Sequence, residues 1–166
     1  MIKTVLQWLA LFTGALILQT SFIPSIGIVG IKPDLLIIAL FIFSMRFNSM
    51  AGTIVGFFLG LCQDLYAPAV LGQNALATTV TGFFIGLFNE KVMRTDPMLK
   101  TLILLAAFVV HDTLFTGVTV VRSHTGWGLL FSSLLVQTVP RAIYSMLFVA
   151  LLYIWEFFFK PSTFHS

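Results

Sequence analysis

The sequence predicts an all-α integral membrane protein, a bundle of about six transmembrane helices in a single polytopic domain, residues 1–166. Three observations predict this class. The chain is 58% hydrophobic and 9% charged, with a mean hydropathy of +1.03, far outside the range of soluble domains. Its apolar runs are long and unbroken, whereas membrane strands would alternate. Since a crossing needs about 20 apolar residues, the chain has room for five or six crossings but not for a soluble catalytic domain.

Prolines divide the apolar sequence into helices. The first run is too long for a signal peptide and no small-residue cleavage pattern follows it, so we expect a retained helix. Pro33 and Asp34 open a short second helix, and Pro68 ends the third. Pro140 separates a short outer or interfacial segment, residues 127–138, from the last crossing. The predicted crossings are residues 5–23, 34–46, 50–66, 71–92, 98–121 and 141–158.

The basic residues indicate the orientation of the six crossings. Six crossings put both termini on one side of the membrane, and the Lys and Arg residues favour that side by six to two. The positive-inside rule therefore predicts cytoplasmic termini. The terminal-side residues are Lys3, Arg46, Lys91, Arg94, Lys100 and Lys160, and the opposite ones are Lys32 and Arg122. A five-crossing arrangement, which would place Lys160 outside, is the alternative.

Two similar nonapeptides, GFFLGLCQD at residues 56–64 and GFFIGLFNE at residues 82–90, carry small residues at steps of four. Steps of four keep residues on one helix face, and small residues there let membrane helices approach closely. The strips are Gly52, Gly56 and Gly60 followed by Asp64, and Thr78, Gly82 and Gly86 followed by Glu90. They predict either internal packing of helices three and four or a docking face for a partner. Antiparallel helices would place the two carboxylates on opposite membrane sides, which excludes a catalytic pair of acids.

The polar dipeptide His111-Asp112 falls in the middle of the fifth predicted crossing. A charge at that depth costs about 2.5–3.5 kcal/mol, so Asp112 should face the bundle and either find a partner, for which Arg141 is the candidate, or take up a proton. Neighbouring helical positions point about 100° apart, so His111 and Asp112 are not expected to form a catalytic dyad. A structural contact, a proton or ligand site, and catalysis are the three interpretations.

Other chemistry finds little support in the sequence. Cys62 has no second cysteine for a disulfide and no histidine cluster for a metal. The basic residues form no dense run that would bind nucleic acid. Ser132 and Ser133 lack a G-x-S-x-G context, and zinc, Walker and dinucleotide motifs are missing. We therefore expect no metal, no cofactor and no enzymatic activity.

Three segments in order, KPDLLIIALFIFSMRFN, GFFLGLCQDLYAP and LGQNALATTVTGFFIG, resemble the bacterial rod-shape-determining protein MreD family. The resemblance covers roughly residues 32–90, and the length and hydropathy of the chain also fit. The resemblance implies that the residues matching the family motif have structural and docking roles rather than catalytic ones. The matching residues are Pro33, Asp34, Gly56, Gly60, Asp64, Leu71, Gly72, Asn74, Ala75 and Leu76.

The resemblance implies a non-enzymatic scaffold of the cell-elongation machinery in the bacterial cytoplasmic membrane. The partners it implies are the single-pass protein MreC, the MreB filament, and RodA with a penicillin-binding protein, alongside membrane lipid. It also implies a fold like that of the six-helix substrate-binding subunits of vitamin transporters. A vitamin-binding transporter subunit is the alternative function, with Ala10 and Gly14 as a small-residue contact on the first helix. An intramembrane enzyme is the third hypothesis.

Overall fold

A computed structural model describes residues 2–22, 34–66, 71–88 and 97–123, together with positions 128, 132, 136, 138–140 and 143. Within these residues the chain is helical apart from short turns, and it contains no strand. The all-α class is therefore confirmed for the described part of the chain. The helices are α1, Ile2–Ile17, which continues as a π-helix over Leu18–Phe22; α2, Leu35–Arg46; α3, Ser49–Tyr66; α4, Gln73–Gly86; and α5, Pro97–Ser123.

Two of the described segments, Ile2–Ser21 and Met98–Ser123, are long and apolar enough to cross a membrane. α2 is a shorter apolar helix of 12 residues. The five helices lie at the positions of the first five predicted crossings, although the crossings themselves stay a prediction. The predicted last crossing, 141–158, and most of the segment 127–138 lie outside the described residues.

α4 is shorter than the range 71–92 that the sequence predicts for the fourth crossing. Gly72 is the N-cap and has a φ of +94°, in the left-handed region that favours glycine, so the first helical residue is Gln73, two residues after the predicted start. Its last helical residue is Gly86, and Leu87 caps it by donating its backbone N–H to Phe83. The start of α4 is therefore determined by the conformation of Gly72 and not only by the length of the apolar run.

α2 and α4 lie at the centre of the described bundle. α4 packs against α3 along its whole length and also contacts α2 and α5, while α2 contacts α1, α3 and α5. α1 has no buried residue and lies at the edge. The core side chains are Ile37, Ile38, Leu104 and Phe108 between α2 and α5, Met45, Ile85, Ile103 and Ala107 among α2, α4 and α5, and Leu36, Leu40 and Leu59 between α2 and α3.

Two polar side chains determine where α2 begins. The buried Asp34 is its N-cap and accepts hydrogen bonds from the backbone N–H groups of Leu36 at 3.1 Å and Ile37 at 3.2 Å. Gln19, in the π-helix after α1, accepts a third from Leu35 at 2.8 Å. Because the first N–H groups of a helix have no partner within it, these contacts satisfy donors that would be costly to bury.

Candidate functional site: the interface of α3 and α4

The two strips of small residues lie against each other. Gly52 faces Gly82, Gly56 faces Thr78, and the next contact joins Gly60 to Asn74 and Ala75. Each step of four residues forward on α3 matches a step of about four backward on α4, so the helices are antiparallel and in register. Gly86 continues the contact against Ser49 at the first turn of α3. Each strip is thus covered by the other.

The backbones approach so closely that a side chain on either strip would not fit. A Cβ atom added to Gly56 would lie 2.5 Å from the carbonyl oxygen of Thr78, and one added to Gly52 would lie 2.6 Å from that of Gly82. Both neighbours are backbone atoms, which cannot rotate away as the end of a flexible side chain can. By contrast, a Cβ on Gly14 of α1 would meet nothing within 4 Å. The requirement for glycine is therefore specific to the α3–α4 contact.

Thr78 adds a polar contact at the middle of the interface. Its hydroxyl lies 2.6 Å from the carbonyl oxygen of Gly56 on α3 and 2.7 Å from that of Asn74 on its own helix. The single hydroxyl proton can be donated to one of these oxygens at a time. The side chain is 1% exposed, so this hydroxyl is satisfied within the protein in either orientation. Such hydrogen bonds between membrane helices contribute roughly 0.6–2 kcal/mol.

Asp64, at the end of the first strip, caps the N-terminus of α4. One carboxylate oxygen accepts hydrogen bonds from the backbone N–H and the side-chain amide of Asn74, both at 2.9 Å. The other accepts from the backbone N–H groups of Gly72 at 2.9 Å and Ala75 at 3.0 Å. The residue is 5% exposed, and its negative charge lies at the positive end of the α4 dipole. Gly72, the formal N-cap, has no side chain to do this, so α3 supplies the cap for α4.

Gln73 joins the same end of α4 to α5. Its side-chain amide donates hydrogen bonds to the carbonyl oxygen of Phe115 at 2.7 Å and to the hydroxyl of Thr119 at 2.6 Å. It is 5% exposed. With Asp64 on one side and α5 on the other, the first turn of α4 is held by polar contacts from two helices.

His111 and Asp112 are both buried in α5, at 3% and 5% exposure. The expectation that their side chains point apart is wrong, because Nδ1 of His111 lies 3.1 Å from Oδ1 of Asp112. Although the two Cα–Cβ bonds diverge, adjacent residues start close together and both side chains turn toward each other. The His111 ring also stacks on Phe115, with ring centroids 6.3 Å apart. Its Nε2 has no hydrogen-bond partner among the described residues. Arg141, expected to contact Asp112, lies outside the described residues.

A family model for the rod shape-determining protein MreD matches residues 1–161, nearly the whole chain. The chain belongs to the MreD family. No curated protein and no solved structure gave a significant match. The MreD family is a bacterial membrane protein family of the rod-shape machinery, so the chain has a role in rod-shape determination.

The residues that carry the resemblance to MreD fall mostly into this interface. Asp64, Gly72, Asn74 and Ala75 form the cap of α4, while Asp34 caps α2. The MreD-like motif therefore describes how two helix N-termini are held. Leu71 and Leu76 are instead exposed, at 70% and 50%. Pro33 and Glu90 lie outside the described residues.

The described part of this MreD chain holds no group of three or more His, Cys, Asp or Glu side chains that could bind a metal. The Asp64 carboxylate, the Asn74 amide and the Thr78 hydroxyl of the α3–α4 interface are hydrogen-bonded within the protein, whereas Ser44 Oγ and Gln63 Oε1 have no hydrogen-bond partner among the described residues. The Asp64 carboxylate satisfies the backbone N–H groups at the start of α4. Backbone donors in a bilayer need such partners within the protein, because no water is available to them there. The site holds helices together.

Sequence reasoning missed two features of this MreD chain. One is Gln19, whose contact with α2 comes from 16 residues away and has no local signal. The other is an aromatic cluster of Trp8 and Phe12 on α1 with Phe43 on α2 and Phe47, the C-cap residue of α2. The residues of each pair are four apart, the spacing of one helix face, and two such pairs in consecutive segments are a signal that could have been used.

Proposed function

We propose that this MreD-family chain is a non-catalytic membrane scaffold of the bacterial cell-elongation machinery. In this proposal it docks an MreC-like single-pass protein and belongs to the same complex as the MreB filament, RodA and a penicillin-binding protein. The observation that carries the proposal is the family match over residues 1–161. In the same proposal, the chain lies in the cytoplasmic membrane as a multi-pass protein with both termini in the cytoplasm.

The use of the buried polar side chains supports a scaffold. Asp64 and Gln73 are occupied by helix ends and by a neighbouring helix, and Asp34 caps its own helix. A catalytic or transport site would need polar groups that converge on a substrate. These groups instead hold α2, α4 and α5 in fixed positions, as a docking platform requires.

The geometry also bears on where a partner helix would dock. Because the strips on α3 and α4 cover each other, we propose that they pack the bundle internally and that a partner contacts another face or a loop. α3 exposes large apolar side chains on its other side, among them Phe57 and Phe58 at 46% and 60%. A partner on that face would meet side chains rather than bare backbone.

The test is affinity purification of the tagged full chain from the native membranes of a rod-shaped bacterium, in mild detergent, with identification of the proteins retained. We expect enrichment of a single-pass MreC-like protein and of the synthase pair over an unrelated tagged multi-pass protein. Removal of the gene should produce round cells, and its return should restore rods. Normal rods without the gene, or no enrichment of these partners, would overturn the proposal. A vitamin retained in stoichiometric amount would support the transport function instead.

A further inference from the structure

α4 exposes a row of large apolar side chains. Its members on the helix are three or four residues apart, so they lie on one helix face. We call this row, together with Leu71 in the turn before the helix, the α4 stripe. Its other members are Leu76, Val80, Phe83 and Leu87, which are 39–55% exposed. Exposed apolar side chains of a membrane helix favour contact with acyl chains.

The α4 stripe is short for a bilayer. Leu71 and Leu87 are 16 residues apart, a rise of at most about 24 Å. The exposed apolar side chains of the neighbouring α3, from Met50 to Leu65, cover about 22 Å. A typical hydrocarbon core is about 30 Å thick, and any tilt of a helix shortens the thickness that it covers. The α4 stripe therefore matches a hydrocarbon core at least about 6 Å thinner than a typical one.

Polar groups mark both ends of the α3–α4 pair. At one end, the Asp64 carboxylate accepts hydrogen bonds from the first N–H groups of α4. At the other end, Gly86 contacts Ser49, and the exposed Arg46 and Asn48 lie just before α3. Because charged groups are costly in hydrocarbon, the apolar layer beside these helices cannot extend far past either end.

α5 has the length of a full crossing. Its apolar run lies between Lys100 and Arg122, which are 22 residues apart, a rise of about 33 Å. A helix longer than the bilayer can tilt, whereas a helix shorter than the bilayer cannot lengthen. A thick bilayer therefore suits α5 better than it suits α4.

The contacts between α4 and α5 show how the two lengths are aligned. Gln73, at the start of α4, donates a hydrogen bond to the Thr119 hydroxyl of α5 at 2.6 Å. Ile85, near the end of α4, lies in one apolar cluster with Ile103 of α5. Thr119 is three residues before Arg122, and Ile103 is three residues after Lys100. α5 therefore extends beyond α4 by about one turn at each end.

We propose that the α4 stripe binds phospholipids whose acyl chains form a thin hydrocarbon layer, and that the chain thins the bilayer at this face. Thinning is one way in which a bilayer accommodates a hydrophobic stretch shorter than itself. The inference rests on the height of the stripe and on the polar groups at both ends of the α3–α4 pair. It goes beyond the scaffold function and needs no protein partner, although it uses α3 and α4 as membrane crossings.

The test compares the lipids beside α4 with those beside α5, using one tryptophan as the reporter. Trp8→Phe, Trp127→Phe and Trp155→Phe remove the native indoles from the full chain. Val80→Trp then places a reporter in the α4 stripe, and Val109→Trp places the matched control at a similarly exposed position of α5. Each protein is reconstituted into mixtures of dimyristoleoyl phosphatidylcholine, which has short acyl chains, and dierucoyl phosphatidylcholine, which has long ones. One of the two lipids is brominated, and bromine quenches indole fluorescence at short range.

The quenching gives the relative binding of the two lipids beside each reporter. With Val80→Trp we expect the short-chain lipid to be preferred by about threefold or more, and with Val109→Trp by less than about twofold. Equal preferences beside the two reporters would overturn the proposal. Quenching of the Val80→Trp protein by neither lipid would also overturn it, because a protein surface such as a second copy of the chain would then cover the stripe.

Thermal unfolding of the unmodified chain is a second measurement. Circular dichroism follows the helices in vesicles of dimyristoleoyl, dioleoyl or dierucoyl phosphatidylcholine. We expect the melting temperature to fall as the acyl chains lengthen, because the mismatch at the α4 stripe grows. A melting temperature that is constant or rises with acyl length would contradict the proposal. These vesicles contain no partner protein, so failure here leaves the affinity-purification test of the scaffold function unaffected.

Discussion

Replacing Asp64 by alanine tests the α3–α4 interface most directly. The carboxylate accepts four hydrogen bonds of 2.9–3.0 Å, three from backbone N–H groups and one from the Asn74 side chain. Loss of a helix N-cap alone costs about 0.5–2 kcal/mol, and a hydrogen bond to a charged group contributes about 1.5–3 kcal/mol. Water that enters the vacated space would satisfy some of the freed donors. We therefore expect Asp64→Ala to lower the free energy of unfolding by about 4 kcal/mol, near the upper end for single substitutions.

The measurement is thermal unfolding of the purified protein in mild detergent, followed by circular dichroism of the helices. For a chain of this length, about 4 kcal/mol corresponds to a fall in melting temperature of roughly 10 °C. Asp64→Asn keeps the size and one acceptor oxygen, so it should lose about half as much. Leu65→Ala, at a neighbouring position that is 69% exposed, is the matched control and should change the melting temperature by no more than about 2 °C.

The outcome that contradicts this reasoning is simple to recognise. If Asp64→Ala melts together with Leu65→Ala, the carboxylate does not hold the start of α4. If Asp64→Asn is as unstable as Asp64→Ala, the negative charge at the helix dipole matters more than the number of hydrogen bonds.

Two further predictions concern packing and topology. Gly56→Leu should prevent α3 and α4 from packing together, because even the Cβ atom of the leucine would lie 2.5 Å from a backbone oxygen. We expect size-exclusion chromatography to show little folded protein. Gly14→Leu, at a position with open space around it, is the control and should elute as wild type. A Gly56→Leu protein that folds normally would contradict the close contact. In a cysteine-free background, the proposed topology predicts that Cys at Ile2 is labelled by an impermeant maleimide only after cells are opened, while Cys at Leu71 is labelled in intact cells. Both positions are strongly exposed. The reverse pattern would place the termini outside.

The lengths of the apolar runs and the positions of the prolines predicted the helical class and the places of five helices, because these features depend on residues that are close together in the sequence. Asp34 was predicted to open α2, and it does so as the N-cap. The role of Asp64 could not be predicted, since its partners lie eight to eleven residues away and depend on the path of the loop. The contact of His111 with Asp112 was missed because helical geometry fixes the direction of Cβ but not the rotamers beyond it. Side-chain conformation and contacts across loops were therefore the limits of prediction.

The resemblance of the two nonapeptides has a physical reason in the structure. Two antiparallel helices can close to backbone contact only if both carry small residues at the same spacing, so the same pattern appears on each. Gly52 against Gly82 and Gly56 against Thr78 are successive steps of one such contact. The Asp64 carboxylate then satisfies the helix end that this close approach buries. Small residues used in this way are not available to a partner, and we therefore propose that a partner helix contacts the large side chains and the charged ends that remain exposed.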